Sequence, residues 1–284
     1  MPELPEVTVV AKQLKEILLK ENQKVNYMNL YCDKALRNVE KTKLENLRDF
    51  KIINVFQIAK NLIIEAEEKY LVLHLRMEGN FKLLKKAILN QNDLKHTILS
   101  FKLNGDNWLL FDDHRKFATV DLFDNNKQIK DHTFFKNLGP EPWDIDFKKF
   151  YQKIKNNRST IKSLLLSQKH LSGLGNIYVD EVLYRTKIHP QEISKNITKD
   201  QFQKIIDASI LILKASIEDG GSTIKTFKSF GTKGNFQQKL MVHGRKGLNC
   251  KICNAKIEKI VVAGRGTYFC PLEQILKSNK ENVW

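Results

Sequence analysis

At residues 136–144 the chain reads KNLGPEPWD, a run of turn formers, and the hydrophobic pattern differs on its two sides. Before it, from about residue 51 to 123, apolar residues recur at every second position, the period of a strand with one buried face. In KYLVLHLRM, Leu71, Leu73 and Leu75 alternate with Val72, His74 and Arg76, which predicts one buried and one exposed face. HTILSFKL, NWLLFDD and KFATVDLF continue the pattern, with a turn at NGDN, 104–107. The opening stretch PEVTVVAKQLKEILLK instead sets Val10, Leu14, Ile17 and Leu18 on one helical stripe. Several strands and a flanking helix read as an antiparallel sandwich. Beyond the boundary the signals are helical. Ser159 or Thr160 can cap IKSLLLSQ, and Thr198 with Gln201 forms a capping-box pattern before an amphipathic run to about 218.

A chain of 284 residues with a net charge of +16 points to a polyanionic partner. No run approaches the ~20 apolar residues of a membrane helix, and no basic amphipathic helix stands out, so nucleic acid is favoured over a membrane surface. No secretory signal pattern precedes the helix, and a cytoplasmic location is expected. Arginine is scarce, with eight in all, which draws attention to Arg115 and Arg265.

Four stretches carry chemistry. The first is MPELPEV. Removal of Met1 leaves Pro2 with a free secondary amine, and α-amines titrate near ~8. Glu3 and Glu6 put carboxylates beside it, suited to acid–base work. The plainer alternative is a helix start, with Pro5 in the first turn and an acid at its positive end. The second stretch is GLGNIYVDE, where Gly173 and Gly175 lead into Asn176, an N-cap for a helix at 177–185. Free N–H groups at such a start can bind phosphate, or simply be capped. In the third, Cys250-x2-Cys253, sixteen residues and then Cys270 give the cadence of a zinc ribbon, but Glu273 stands where a fourth Cys is expected. A carboxylate can ligate zinc; alternatively packing alone holds the hairpin. Between these cysteines KIVVAGRGTYF reads as two strands with Arg265 at the tip, able to grip phosphate. The fourth stretch is FDDHRKF. Arg115 and Phe117, two apart, suit base-edge pairing and stacking in a duplex, with Met77 a third wedge; for Phe117 and Met77 core packing is the alternative.

Together MPELPEV, AKNL, HLRMEG, DDHRKF, LGPEPW, GLGNIYVDEVLYRTKIHP, GGSTI and CKIC…GRGTYFC closely resemble the bacterial formamidopyrimidine-DNA glycosylases, in order over nearly the whole chain. The resemblance implies an α+β multidomain fold. Its parts are a β-sandwich catalytic domain (1–130), a linker (131–147), a helical domain with a helix–two-turn–helix motif (148–238), a zinc-finger-like hairpin (239–274) and a tail (275–284), with DNA in the cleft between domains. It implies a monomeric enzyme of base excision repair. Such an enzyme removes 8-oxoguanine and formamidopyrimidines from double-stranded DNA and cleaves abasic sites, through a Schiff base on Pro2. The alternative is a non-catalytic damaged-DNA-binding protein on the same scaffold. By resemblance Lys60 matches the proton donor for β-elimination and Arg265 the residue serving δ-elimination. His74, His96, Arg158, Lys162 and Asn176 match DNA-contacting positions. Met77, Arg115 and Phe117 match the trio filling the vacated space, and Gly220–Phe236 the loop covering the extruded base. One structural Zn2+ is implied, on Cys250, Cys253, Cys270 and Glu273. Two departures from the family pattern stand out: Glu273, and Arg76 with Glu78 where small residues are usual beside Met77.

Overall fold

The computed structural model describes residues 1–21, 23–67, 69–222, 230 and 234–277. The chain divides into two compact units, 1–136 with 217–237, and 137–216 with 238–284. In the first, the opening helix Leu4–Leu18 has Pro5 and Glu6 in its first turn, and the Glu3 N–H donates to Glu6 Oε2 at 2.9 Å. Its stripe of Val7, Val10, Ala11, Leu14 and Leu18 is buried, with Ile17 at the margin.

Among the described residues nine strands follow: β1 (Val25–Leu30), β2 (Arg48–Phe50), β3 (Ile52–Ile58), β4 (Asn61–Ala66), β5 (Lys69–His74), β6 (Asn80–Lys85), β7 (Thr97–Leu103), β8 (Asn107–Asp112) and β9 (Thr119–Phe123). They form a five-stranded sheet, β2-β1-β7-β8-β6, and a four-stranded sheet, β3-β4-β5-β9. Every strand pair within them is antiparallel. The NGDN turn joins β7 to β8, with Gly105 at φ 62°. One core takes Met28, Phe81, Phe101 and Phe111 from the larger sheet and Leu62, Ile64, Leu71, Leu73 and Val120 from the smaller. Each such side chain contributes roughly 1.5–3 kcal/mol on burial, so the sandwich supplies most of this unit's cohesion.

The alternation in β5 holds for Leu71 and Leu73, but Val72 is not exposed. It packs with Ile63, Phe123 and Ile129, because a short helix, Asn126–Asp131, covers that face. The expected boundaries also shift. Residues 217–237 group with the sandwich rather than with the helices at 148–238. The reason is that Ser222 bonds to Glu6 and the Phe230 ring stacks on Phe81. Positions 223–229 and 231–233 of the expected covering loop, and 278–284 of the tail, lie outside the described residues.

The second unit contains helices Phe147–Ile154, Ile161–Leu166, Asn176–Arg185 and, up to residue 216, Lys199–Glu218, with a hairpin of β10 (Glu258–Val262) and β11 (Arg265–Phe269). Thr160 caps the second helix, accepting the Ser163 N–H, and Thr198 and Gln201 form the reciprocal box that opens the last. Gly175, not Asn176, is the N-cap of the third helix, which leaves the Asn176 amide free to act elsewhere. The expected 131–147 linker is no loose tether. The Gly139 N–H donates to Gln168 O and the Ser172 N–H to Pro140 O, so its second half is stitched to the helices. Among the described residues no helix is long and apolar enough to cross a membrane.

One turn of the sandwich is sterically tight. The Gly79 N–H donates to Leu75 O at 2.8 Å, closing the turn that carries Met77 outward, and a Cβ at position 79 would lie 2.6 Å from that oxygen. Gly79→Ala must therefore displace backbone, and chemical denaturation should show a loss of about 1–3 kcal/mol.

Candidate active site

Pro2, Glu3 and Glu6 are all buried in the first unit. Glu6 is 3% exposed and uses both carboxylate oxygens. Oε2 takes the Glu3 N–H, while Oε1 takes the Ser222 N–H at 2.8 Å and the Ser222 hydroxyl at 3.0 Å. Gly221, at φ +82°, lets the chain come this close, since a Cβ there would sit 3.2 Å from Oε1. The amino-terminal heptad is thus both a helix start and a pinned terminus, and the two readings of it are compatible.

Lys60 is buried in the two-residue turn joining β3 to β4, behind Ala59 at φ 53°. His74 ends β5, its Nδ1 accepting the Arg76 N–H at 3.0 Å. Burial, then Arg76, Lys60 and Arg37, push its pKa down to about 3. His74 is therefore neutral at physiological pH, and its free ring nitrogen meets a partner as a dipole rather than a cation. Arg37 is bound by the Asp121 carboxylate on β9 through Nε and Nη2.

Phe117 and Met77 are not core residues; they stand 54% and 41% exposed. The Arg115 guanidinium lies 4.7 Å over the Phe117 ring, a cation–π contact that couples the two side chains. What holds this turn is Asp113, fully buried, whose carboxylate accepts the N–H groups of Arg115, Phe117 and Ala118 at 2.8–3.0 Å. Sequence reading passed over Asp113, although an acid just before a turn is a usual sign of such a cradle. The His96 ring lies against His114, centroids 3.8 Å apart and planes tilted by 34°.

The second unit carries the other candidates. Arg158 and Arg265 are exposed, Arg265 at the hairpin tip as expected. The Asn176 amide donates to Gly266 O at 2.8 Å, next to Arg265. Asp180 and Glu181, one turn further along the helix, hold the same strand further along and the segment 241–243 that leads to the hairpin. Asp180 Oδ2 takes His243 Nδ1 at 2.7 Å and the Tyr268 N–H at 3.2 Å; Glu181 accepts three successive N–H groups, Met241 to His243. Burial raises the Glu181 pKa against those bonds. Lys162 corrects an expectation. Its side chain is fully buried and bonds to Asp180 Oδ1 at 2.6 Å, so it serves this internal network and does not reach a DNA surface.

The sulfurs of Cys250, Cys253 and Cys270 lie within 4.8 Å of one another, with Cys253 and Cys270 3.3 Å apart. Burial opposes ionisation of Cys250, but N–H donors from Cys253 and Ile252 and the Tyr184 hydroxyl bring its pKa to about 7; burial raises Cys270 to about 11. Three convergent soft donors fit a structural zinc. Glu273 stands apart from this cluster, its Oε2 paired with Lys187 Nζ at 2.9 Å, a pair that would have to open for it to serve as a fourth ligand.

Removing Asp180 would leave the Lys162 ammonium buried without its counter-ion and free the Tyr268 N–H. Asp180→Ala should lose about 3–5 kcal/mol in denaturant unfolding, far more than replacing an exposed ion pair such as Lys149–Asp146.

Comparison with known proteins agrees with this arrangement. Residues 1–120 match the formamidopyrimidine-DNA glycosylase N-terminal domain, 138–228 the formamidopyrimidine-DNA glycosylase H2TH domain, and 247–272 the zinc finger found in FPG and IleRS. The formamidopyrimidine-DNA glycosylase of Lactococcus lactis subsp. lactis is 39% identical over 277 residues, 96% of this chain and 99% of that one. That of Streptococcus mutans is 38% identical, over 95% and 98% of the two chains. Among solved structures, the wild-type Lactococcus lactis Fpg (MutM) with an N7-benzyl-Fapy-dG containing DNA aligns with a TM-score of 0.88 at 36% identity. The alignment covers 96% of this chain and 100% of that one. The Lactococcus lactis Fpg with an abasic site containing DNA aligns with a TM-score of 0.86 at 36% identity, over 96% and 99% of the chains. The three matched domains follow one another along the sequence, the relatives align over nearly the full length, and the chain belongs to the formamidopyrimidine-DNA glycosylase family.

Proposed function

We propose that this protein is a DNA glycosylase of base excision repair that removes oxidised purines from duplex DNA and cleaves the resulting abasic site. The observation that carries the reading is the pinned terminus, in which Glu6 fixes the backbone at Glu3 and thereby the position of Pro2. Relatives solved with Fapy-dG and abasic DNA support the substrate class.

The target sugar carbon is unreachable in the stack, so the nucleotide must be extruded. Once Met1 is removed, the Pro2 nitrogen attacks C1′ as the damaged base leaves. A secondary amine yields an iminium cation that cannot lose a proton to become a neutral imine. That electron sink acidifies the C2′ proton, and β- then δ-elimination expel the two phosphates. In this scheme Glu3 acts on the opening sugar and Lys60 donates a proton during β-elimination. Arg265 binds phosphate and serves δ-elimination. Neutral His74, His96, Arg158 and Asn176 contact the DNA, while Met77, Arg115 and Phe117 fill the vacated space. A single zinc on Cys250, Cys253 and Cys270, completed by Glu273 or water, would cross-link the hairpin base.

The direct test is incubation with a duplex holding one 8-oxoguanine opposite cytosine. Cleavage to a one-nucleotide gap with phosphate at both ends is expected, and an undamaged duplex should stay intact; binding without cleavage would leave a non-catalytic protein. Arg115→Ala should weaken the preference for cytosine opposite the lesion by about 1–3 kcal/mol in relative kcat/KM, the worth of one base-edge contact. An equal loss against all four bases would reduce Arg115 to a backbone contact. Carboxylate is a harder donor than thiolate. Glu273→Cys should therefore retain zinc against a chelator that strips the parent protein, as read by elemental analysis. Unchanged retention would remove position 273 from the ligand set.

A further inference from the structure

Arg76 stands in the turn between β5 and β6 at φ 53°, a left-handed backbone conformation that favours glycine and is uncommon for a long side chain. Its N–H is tied to His74 Nδ1, so the conformation is fixed by the site around it. Its guanidinium has no hydrogen-bond or ion-pair partner among the described residues. Arg37 acts on it as a like charge, and Asp121, which offsets that, is already held by Arg37. Lys60 and Arg37 also act on the same neutral His74. Burial and Arg37 together lower the Arg76 pKa, the mark of a cation partly withdrawn from water beside another cation. The next residue along the chain is the exposed Met77.

A half-buried guanidinium next to like charge, on strained backbone, is unfavourable in the free protein. Such strain is found where the surroundings are built for a ligand. The missing component is an anion that accepts from a planar fork, and phosphate has that shape. We propose that Arg76 binds a DNA backbone phosphate beside Met77. This rests on the DNA-repair reading above and adds a contact to it.

The test is a salt series of equilibrium binding, full-length protein against a duplex with a tetrahydrofuran abasic analogue opposite cytosine. One lost phosphate contact lowers the slope of log K against log salt by about 0.9, or about eightfold in affinity near 0.1 M salt. Arg76→Gly and Arg76→Gln should both show that loss. Arg76→Lys should keep the slope. Arg48→Ala, removing a cation of β2 that lies over the Tyr27 ring of β1, should leave the slope unchanged. Arg76→Gly should melt no lower than the parent, since it relieves the positive φ. Parent slope and affinity in both the Gly and Gln variants would overturn the proposal. So would weaker binding at an unaltered slope, or an equal fall in Arg48→Ala. A parent protein that does not prefer the abasic duplex would instead sink the repair reading, and the slope comparison on any duplex would still decide the fate of Arg76.

Discussion

The chemistry depends on one buried carboxylate. Glu6 is withdrawn from water, and an unpaired charge there would cost several kcal/mol. It is retained because two backbone N–H groups and one hydroxyl, from the start of the chain and from Ser222, converge on it. Charge-assisted bonds of this kind contribute roughly 1.5–3 kcal/mol each. The terminus therefore cannot fray as most chain ends do, and Pro2 is delivered to a fixed place. The same interaction recruits residues 217–237 to the sandwich, so one side chain sets both the position of Pro2 and a unit boundary.

Glu6 is one instance of a pattern. Asp113 cradles the Arg115–Phe117 turn, Glu181 collects three N–H groups at 241–243, and Asp180 joins Lys162, His243 and Tyr268. Glu3, Asp112, Asp121 and Glu192 are buried too, whereas only Lys60 and Lys162 are buried lysines among the described residues. Acids drawn inward leave basic groups in excess among the exposed charges, while the net charge of +16 is unchanged and attracts a polyanion. Interior order and exterior charge therefore have a common source. The hairpin shows the consequence most plainly. Asn176 and Asp180 reach Gly266 and Tyr268, both on the strand that begins at Arg265, so the helix positions that arginine alongside whatever the cysteines hold.

Much of this was legible in the sequence because it is local. The strand runs of β5, β7, β8 and β9, the Thr160 cap, the Thr198–Gln201 box and the hairpin around Arg265 depend on neighbours a few residues apart, but the exposed face expected from alternation is absent where β7, β8 and β9 are buried almost throughout. What stayed hidden is carried by distant pairs. Glu6 and Ser222 are 216 residues apart, and nothing in MPELPEV names that partner. Lys162 reads as a surface cation until Asp180 is seen beside it. Asn176 reads as a cap because Gly266, which takes its amide, is 90 residues away. β1, VNYMNL, escaped notice because its asparagines interrupt the apolar alternation. The resemblance supplied roles that no local pattern could, and erred at Lys162, where burial decides the matter.

The account's central claim is that the amine of Pro2, placed by Glu6, becomes covalently joined to the abasic sugar. Borohydride reduction during turnover of an 8-oxoguanine duplex traps such a join permanently, and peptide mapping locates it. The account predicts one adduct, on a peptide that begins at Pro2 with Met1 absent, and a severe loss of that adduct in Pro2→Gly. An adduct on an internal lysine, Lys60 above all, or full trapping by a protein that still carries Met1, would contradict it.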